Sequence, residues 1–262
     1  MDDRPKPLTA FAAAVSRYIG AAFGGAVSAS TGDPVVGAML GEVMGQAATD
    51  FANRALSTRE EARVSTVLDL AAEEISRRLR DGESFRDDGF FDPGSQDADE
   101  VLEGVLRAAQ AEHQQKKLPH LARVFANIAF DPPLSAEVAN LVIRQAESIS
   151  WLEMCLVSLI SRPEEFPLPA AGLKNDGSTW NDWAVTDSFN SMIGDGGLLY
   201  YPPRHPERSL PGFDMRLSSV KLSSRGTLLA GLMDLETIER SEIAAPYEVL
   251  VRFATEFEDE GA

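Results

Sequence analysis

The sequence predicts a mainly α-helical protein, a multi-helix bundle followed by a smaller α+β module that contains a β-hairpin. Three observations carry that prediction. Up to residue 162 the apolar side chains recur at intervals of three and four, the period of helices with one buried face. Serine, proline and glycine stand where such helices should begin and end. From Arg162-Pro163 onward the chain turns to Pro, Gly and short apolar runs, which read as strand, long loop and strand. The expected division is 1–56, a Gly/Ala-rich helical hairpin; 57–162, a helical bundle; and 163–262, the α+β module with a C-terminal helix.

Each element has its own signal. Leu8 to Ser30 is rich in Ala, Gly and Val with Arg17 as its one charge, and reads as a helix. Gly32-Asp33-Pro34 makes a turn, with Pro34 suited to open the helix that runs to Leu56. Ser57-Thr58-Arg59-Glu60-Glu61 offers two overlapping capping boxes for a third helix. Val64, Leu68, Ala71, Ala72, Ile75 and Leu79 form its inner face, and Gly82 ends it. Residues 83–96 form a loop in which Phe90 and Phe91 anchor on the core. Further helices are expected at Asp97–Gln115, Leu118–Phe130, after Ser135, and at Trp151–Ile160, the last apolar nearly all round and therefore buried. In the module, Ser178–Ile193 reads as a helix carrying Trp180, Trp183, Val185, Phe189 and Met192. Leu198–Tyr201 and Phe213–Leu222 read as strands flanking a Pro-rich loop. Ser223 or Ser224 starts the next helix. Pro246 opens the last, with Tyr247, Leu250, Phe253 and Phe257 as its seam.

Charge narrows the partners. The chain of 262 residues carries 41 acidic and 24 basic side chains, a net of −17, so its field opposes phosphate backbones and anionic lipid. Residues 1–56 stand apart, with five acids against four bases. Their longest uncharged stretch, Tyr18–Gly32, is 15 residues, short of the roughly 20 that a membrane span needs. The single Cys155 lies in an apolar run and reads as a buried thiol. The first residues lack the basic-then-apolar order of a secretory signal, which sets the expectation of a cytoplasmic protein.

The costliest feature is a run of glycines at four-residue spacing: Gly20, Gly24, Gly37, Gly41 and Gly45. Each glycine inside a helix costs roughly 0.5–1 kcal/mol relative to alanine. At that spacing they form a strip along which another backbone can approach. The strip is therefore expected either to join the two helices of the hairpin or to join copies of the chain.

Groupings with catalytic chemistry are not found. His113 and His120 straddle Leu118-Pro119, which interrupts a helix between them, and His205 lies in the Pro-rich loop. They are expected to be solvated or capping residues, with Glu112 the nearest candidate for a shared metal. Gly194-Asp195-Gly196-Gly197 precedes a strand instead of opening a helix, so it lacks the context of a phosphate loop. No catalytic, cofactor-binding or metal-binding residue is assigned, and no enzyme is expected.

The order helix, helix, strand, long loop, strand, helix over residues 148–235 resembles a winged-helix module. Val220-Lys-Leu-Ser-Ser-Arg-Gly-Thr-Leu-Leu-Ala-Gly-Leu-Met233 resembles the return strand and following helix of such modules. A bundle followed by this module is similar in layout to bacterial helical proteins of the abortive-infection type. The resemblance covers part of the chain without a diagnostic motif, and no functional residue is carried over from it. It completes the expected fold as a bundle with a C-terminal winged-helix-like module. It also implies that Arg204, Arg208, Arg216, Lys221 and Arg225 could act as a docking or nucleic-acid wing. Nucleic acid is disfavoured because the would-be recognition helix carries Asp182 and Asp187 and no Lys or Arg.

The resulting expectation is a helical interaction, scaffold or regulatory protein. Its partner is another protein or, through the glycine strip, itself as a homo-oligomer. One alternative is an effector of bacterial antiviral defence whose N-terminal hairpin associates with membrane on activation. The other is a winged-helix regulator of transcription.

Overall fold

A computed structural model describes residues 21–31, 33–54, 56–92, 95–173, 179–194, 197–202 and 216–255. Among these residues the chain forms ten α-helices and four two-residue strands, and it divides into two compact units, 1–148 and 149–262. The first part of the expected helix from Leu8, with Gly20, lies outside the described residues.

The first unit is helical. It contains α1 (Ala21–Thr31), α2 (Pro34–Ala52), α3 (Thr58–Arg80), α4 (Asp97–Ala111), α5 (Leu118–Ile128) and α6 (Ala136–Ser148). The hairpin of α1 and α2 lies within this unit, where α2 buries Leu40, Met44, Ala48 and Phe51. At its centre is α4, which packs on α2, α3, α5 and α6 and buries Val101, Leu102, Val105 and Leu106 completely. Each such side chain removed from water contributes about 1.5–3 kcal/mol.

Local chemistry fixes the helix ends. The Asp33 carboxylate accepts hydrogen bonds from the amides of Val35 and Val36, with Pro34 in the first turn. Of the two candidate boxes before α3, the Ser57/Glu60 pair forms: the Ser57 amide donates to Glu60, and the Glu60 amide donates to the Ser57 hydroxyl. Hydrogen bonds from Ser57 and Gln110 hold the Glu60 carboxyl down at about 2. The expected helix from Asp97 ends at Ala111, and Gln115–Lys117 form a 3-10 turn before α5, which carries Pro119 in its first turn.

Two buried cations, Arg86 and Lys117, stand out among the described residues of this unit. In the loop after α3, Arg86 is 5% exposed and its guanidinium stacks over the Phe90 ring, 4.0 Å from the centroid. It donates to both oxygens of Asp88 at 2.8 and 2.6 Å, and to the carbonyls of Ile128, Pro132 and Leu134 at 3.2, 3.0 and 3.0 Å. The turn that breaks the chain after α5 is thereby tied to the loop after α3. Phe90 and Phe91 are buried there as expected, Phe91 meeting Phe85, Phe90 and Phe125. The second buried cation is Lys117, whose ammonium pairs with the buried Glu112.

The second unit is built on α7 (Trp151–Ser161), capped by Ser150 and Glu153. Met154 through Ile160 are all buried, Cys155 among them, as an all-round apolar helix requires. Around it pack α8 (Trp180–Ser191), α9 (Ser224–Leu232) and α10 (Arg240–Arg252). The strands β2 (Leu199–Tyr200) and β3 (Lys221–Leu222) pair antiparallel, with Leu199 opposite Leu222. The second strand is much shorter than the expected Phe213–Leu222, since Leu217–Ser219 form a 3-10 turn; Phe213 to Met215 lie outside the described residues.

A second pair of strands was not anticipated: β1 (Gly172–Leu173) against β4 (Ala254–Thr255). The last helix also differs, starting at Arg240 with Pro246 in its interior. Ile243, Pro246, Val249 and Leu250 are buried on one face, and that burial offsets the backbone hydrogen bond a proline forfeits. Of the expected seam, Leu250 is buried, Tyr247 donates from its hydroxyl to the Pro167 carbonyl, Phe253 sits just past the helix end, and Phe257 lies outside the described residues. No helix among the described residues is long and apolar enough to cross a membrane.

The Arg86 node has a direct test. Arg86→Lys keeps the charge but replaces five fixed donors with three, and leaves backbone carbonyls unmatched. Chemical denaturation should show a loss of about 2–4 kcal/mol in unfolding free energy. A loss below about 0.5 kcal/mol, the size of an ordinary surface change, would mean the node is dispensable.

Candidate interaction surface

The hairpin shows where the glycines are spent. Gly24, Gly37, Gly41 and Gly45 are all buried. A Cβ on Gly24 would collide with the backbone carbonyl of Gly37, and a Cβ on Gly37 with the Gly24 carbonyl and the Ser28 hydroxyl oxygen. The two backbones thus pass at a distance that only glycine permits. Ser28 adds a hydrogen bond from its hydroxyl to the Gly24 carbonyl at 2.7 Å. The small residues join α1 to α2, and they do so inside the chain.

The expected basic wing is only partly described. Arg204, Arg208 and His205 lie outside the described residues. Arg216 is half-buried before the 3-10 turn, Lys221 is exposed on β3, and Arg225 is exposed in the first turn of α9. Gly226 lets that turn approach the end of the hairpin, where a Cβ would strike the Leu198 carbonyl.

One histidine expectation changes in part: His120 is 5% exposed and so is not solvated, whereas His113 is exposed as expected. Glu112 faces Lys117 and accepts from the Gln114 amide at 2.7 Å, which commits its oxygens within the chain. Among the described residues no cluster of His, Cys, Asp and Glu could hold a metal ion.

The feature that stands out is on α8. Thr179 caps the helix by accepting from the Asp182 amide. Asp182, Val185, Thr186 and Phe189 point inward, and Asp182 is approached by Arg252 at 3.4 Å. The opposite face carries Trp180, 85% exposed, and Trp183, 44% exposed. Their rings meet edge to face, centroids 6.1 Å apart and planes at 85°. One turn further along the same stripe is Asp187, also exposed. The sequence groups both tryptophans with Val185, Phe189 and Met192 on one helix without assigning them to a face. At 3.6 residues per turn, Val185, Phe189 and Met192 share one side, while Trp180 and Trp183 lie about half a turn away. The wheel could have separated them.

No family model, no curated protein and no solved structure matches this chain.

The glycine contact is tested by two alanines. Gly37→Ala introduces a methyl that the Gly24 backbone cannot accommodate, and should destabilise the first unit by about 1–3 kcal/mol. Gly25 has nothing within reach of an added Cβ, so Gly25→Ala should leave stability unchanged or raise it by about 0.5–1 kcal/mol. Thermal melts of the two variants check both signs.

Proposed function

We propose that this chain is a helical interaction protein that docks a protein partner on the exposed tryptophan face of α8. The observation that carries the reading is the pair itself: two indoles, one of them 85% exposed, held edge to face on a capped helix. Tryptophan is the side chain most over-represented among interface hot spots. A rigid exposed pair offers large apolar area at small cost in side-chain entropy. The rest of α8 supports the same role, because its inner face ties the helix to α7 and α10 and presents the tryptophans from a fixed platform.

The other readings draw less support. Self-association through the glycine strip needs surfaces that α1 and α2 already use on each other. Insertion of the N-terminal hairpin into a membrane would strip Leu40, Met44 and Phe51 from the bundle. A winged-helix regulator of transcription has the order of elements and the β2–β3 pair behind it. Its reading helix, however, would offer DNA two tryptophans and Asp187 with no cation.

A photo-crosslinking amino acid at Asn181, which is exposed between the tryptophans, tests the proposal in cells that make the protein. A discrete protein adduct is expected at Asn181, absent from the exposed control position Glu236, and lost when Trp180 and Trp183 are changed to alanine. An adduct that ignores the tryptophans, or none at all, would remove the docking reading.

A further inference from the structure

We infer that the α8 surface recognises a cation, an arginine or lysine side chain of a basic segment in the partner; this rests on the docking reading and specifies its chemistry. Three observations converge on it.

The first is geometric. Planes at 85° with centroids 6.1 Å apart set the two indoles edge to face, and both leave ring surface open to solvent, Trp180 more than Trp183. An indole face is the most attractive of the aromatic side chains for a cation.

The second is how the chain treats its other rings. Guanidiniums lie over Phe51, Phe90 and Phe130 at 4.0–4.1 Å, and over Phe166 and Phe253 at longer range. The fold thus satisfies weaker aromatic faces with its own arginines. Among the described residues, neither Trp180 nor Trp183 carries one; their one ring contact is with each other. Arg252, which reaches α8 at Asp182, turns to that carboxylate and the Phe253 ring.

The third is charge. Asp187 sits one turn from Trp183 on the same stripe, exposed and without an ion pair among the described residues. It supplies the carboxylate that completes a site for a guanidinium or ammonium group. The helix has no basic residue, and the net charge of −17 attracts a basic partner while repelling nucleic acid and anionic lipid. A neutral apolar partner would leave Asp187 buried and unmatched, which disfavours it.

The test titrates the full-length protein with a polyarginine peptide at about 150 mM salt, where long-range attraction is screened. In a Trp151→Phe background tryptophan fluorescence reports Trp180 and Trp183 alone, and calorimetry reports every variant. The comparison is with Trp180→Ala/Trp183→Ala, which preserves net charge. Wild type should bind about tenfold more tightly than this double variant. Trp180→Phe/Trp183→Phe should recover part of the loss, and Asp187→Asn should weaken binding about two- to fivefold. Circular dichroism should be the same for all, since the altered residues are exposed.

Equal affinity of wild type and the alanine double variant would overturn the inference, because binding would then come from the overall field alone. So would a poly-dT oligonucleotide or a phosphatidylserine vesicle whose binding needs the tryptophans while polyarginine binding does not. A tryptophan-dependent adduct at Asn181 combined with tryptophan-independent polyarginine binding would leave docking in place and remove the cation.

Discussion

How α8 is seated decides what the second unit can do. A helix has one stripe to bury, and here it is Asp182, Val185, Thr186 and Phe189, packed toward α7 and α10. Phe189 is fully buried, and the Thr179 cap sets where the helix begins. Once that stripe is fixed, Trp180, Trp183 and Asp187 have to face outward. Exposing so much indole is unfavourable for an isolated domain, and the inner packing is what makes the chain tolerate it. A surface of this kind is explained by use.

The first unit solves a different problem by removing side chains. Gly24 and Gly37 allow α1 and α2 to touch backbone to backbone. The conformational cost of glycine is recovered in the packing of α2 on α4 through Leu40, Met44 and Phe51. The acidic excess is handled by placement. Asp99 titrates above its ordinary value because it is partly buried and faces Glu42 and Asp50. Asp88 and Glu103 are held below theirs by hydrogen bonds from arginine. Arg86 is the clearest example of a charge that organises the chain, since one guanidinium joins a carboxylate, a ring and three carbonyls from two separate connections.

What the sequence made legible is what local rules govern. The α3 cap at Ser57, the proline turn into α2, the burial of Phe90 and Phe91, and the all-round apolar α7 follow from patterns within a few residues. Long-range consequences were not legible. Nothing near Arg86 indicates that carbonyls more than forty residues away will receive it. The β1–β4 pair joins residues at 172 and 255, and two-residue strands carry no period to detect. Pro246 looked like a helix start because the burial that holds it mid-helix is tertiary. The tryptophan face is an intermediate case: its position on the wheel is readable, but no local rule says that such large apolar side chains face outward.

Docking on α8 requires that Trp180 and Trp183 be open to solvent in the protein on its own. Acrylamide quenching of a Trp151→Phe variant tests it most directly, because all remaining indole emission then comes from the pair. The account predicts red-shifted emission and quenching close to that of a free indole. Blue-shifted, shielded emission would contradict it, for the face would then already be covered in the protein alone.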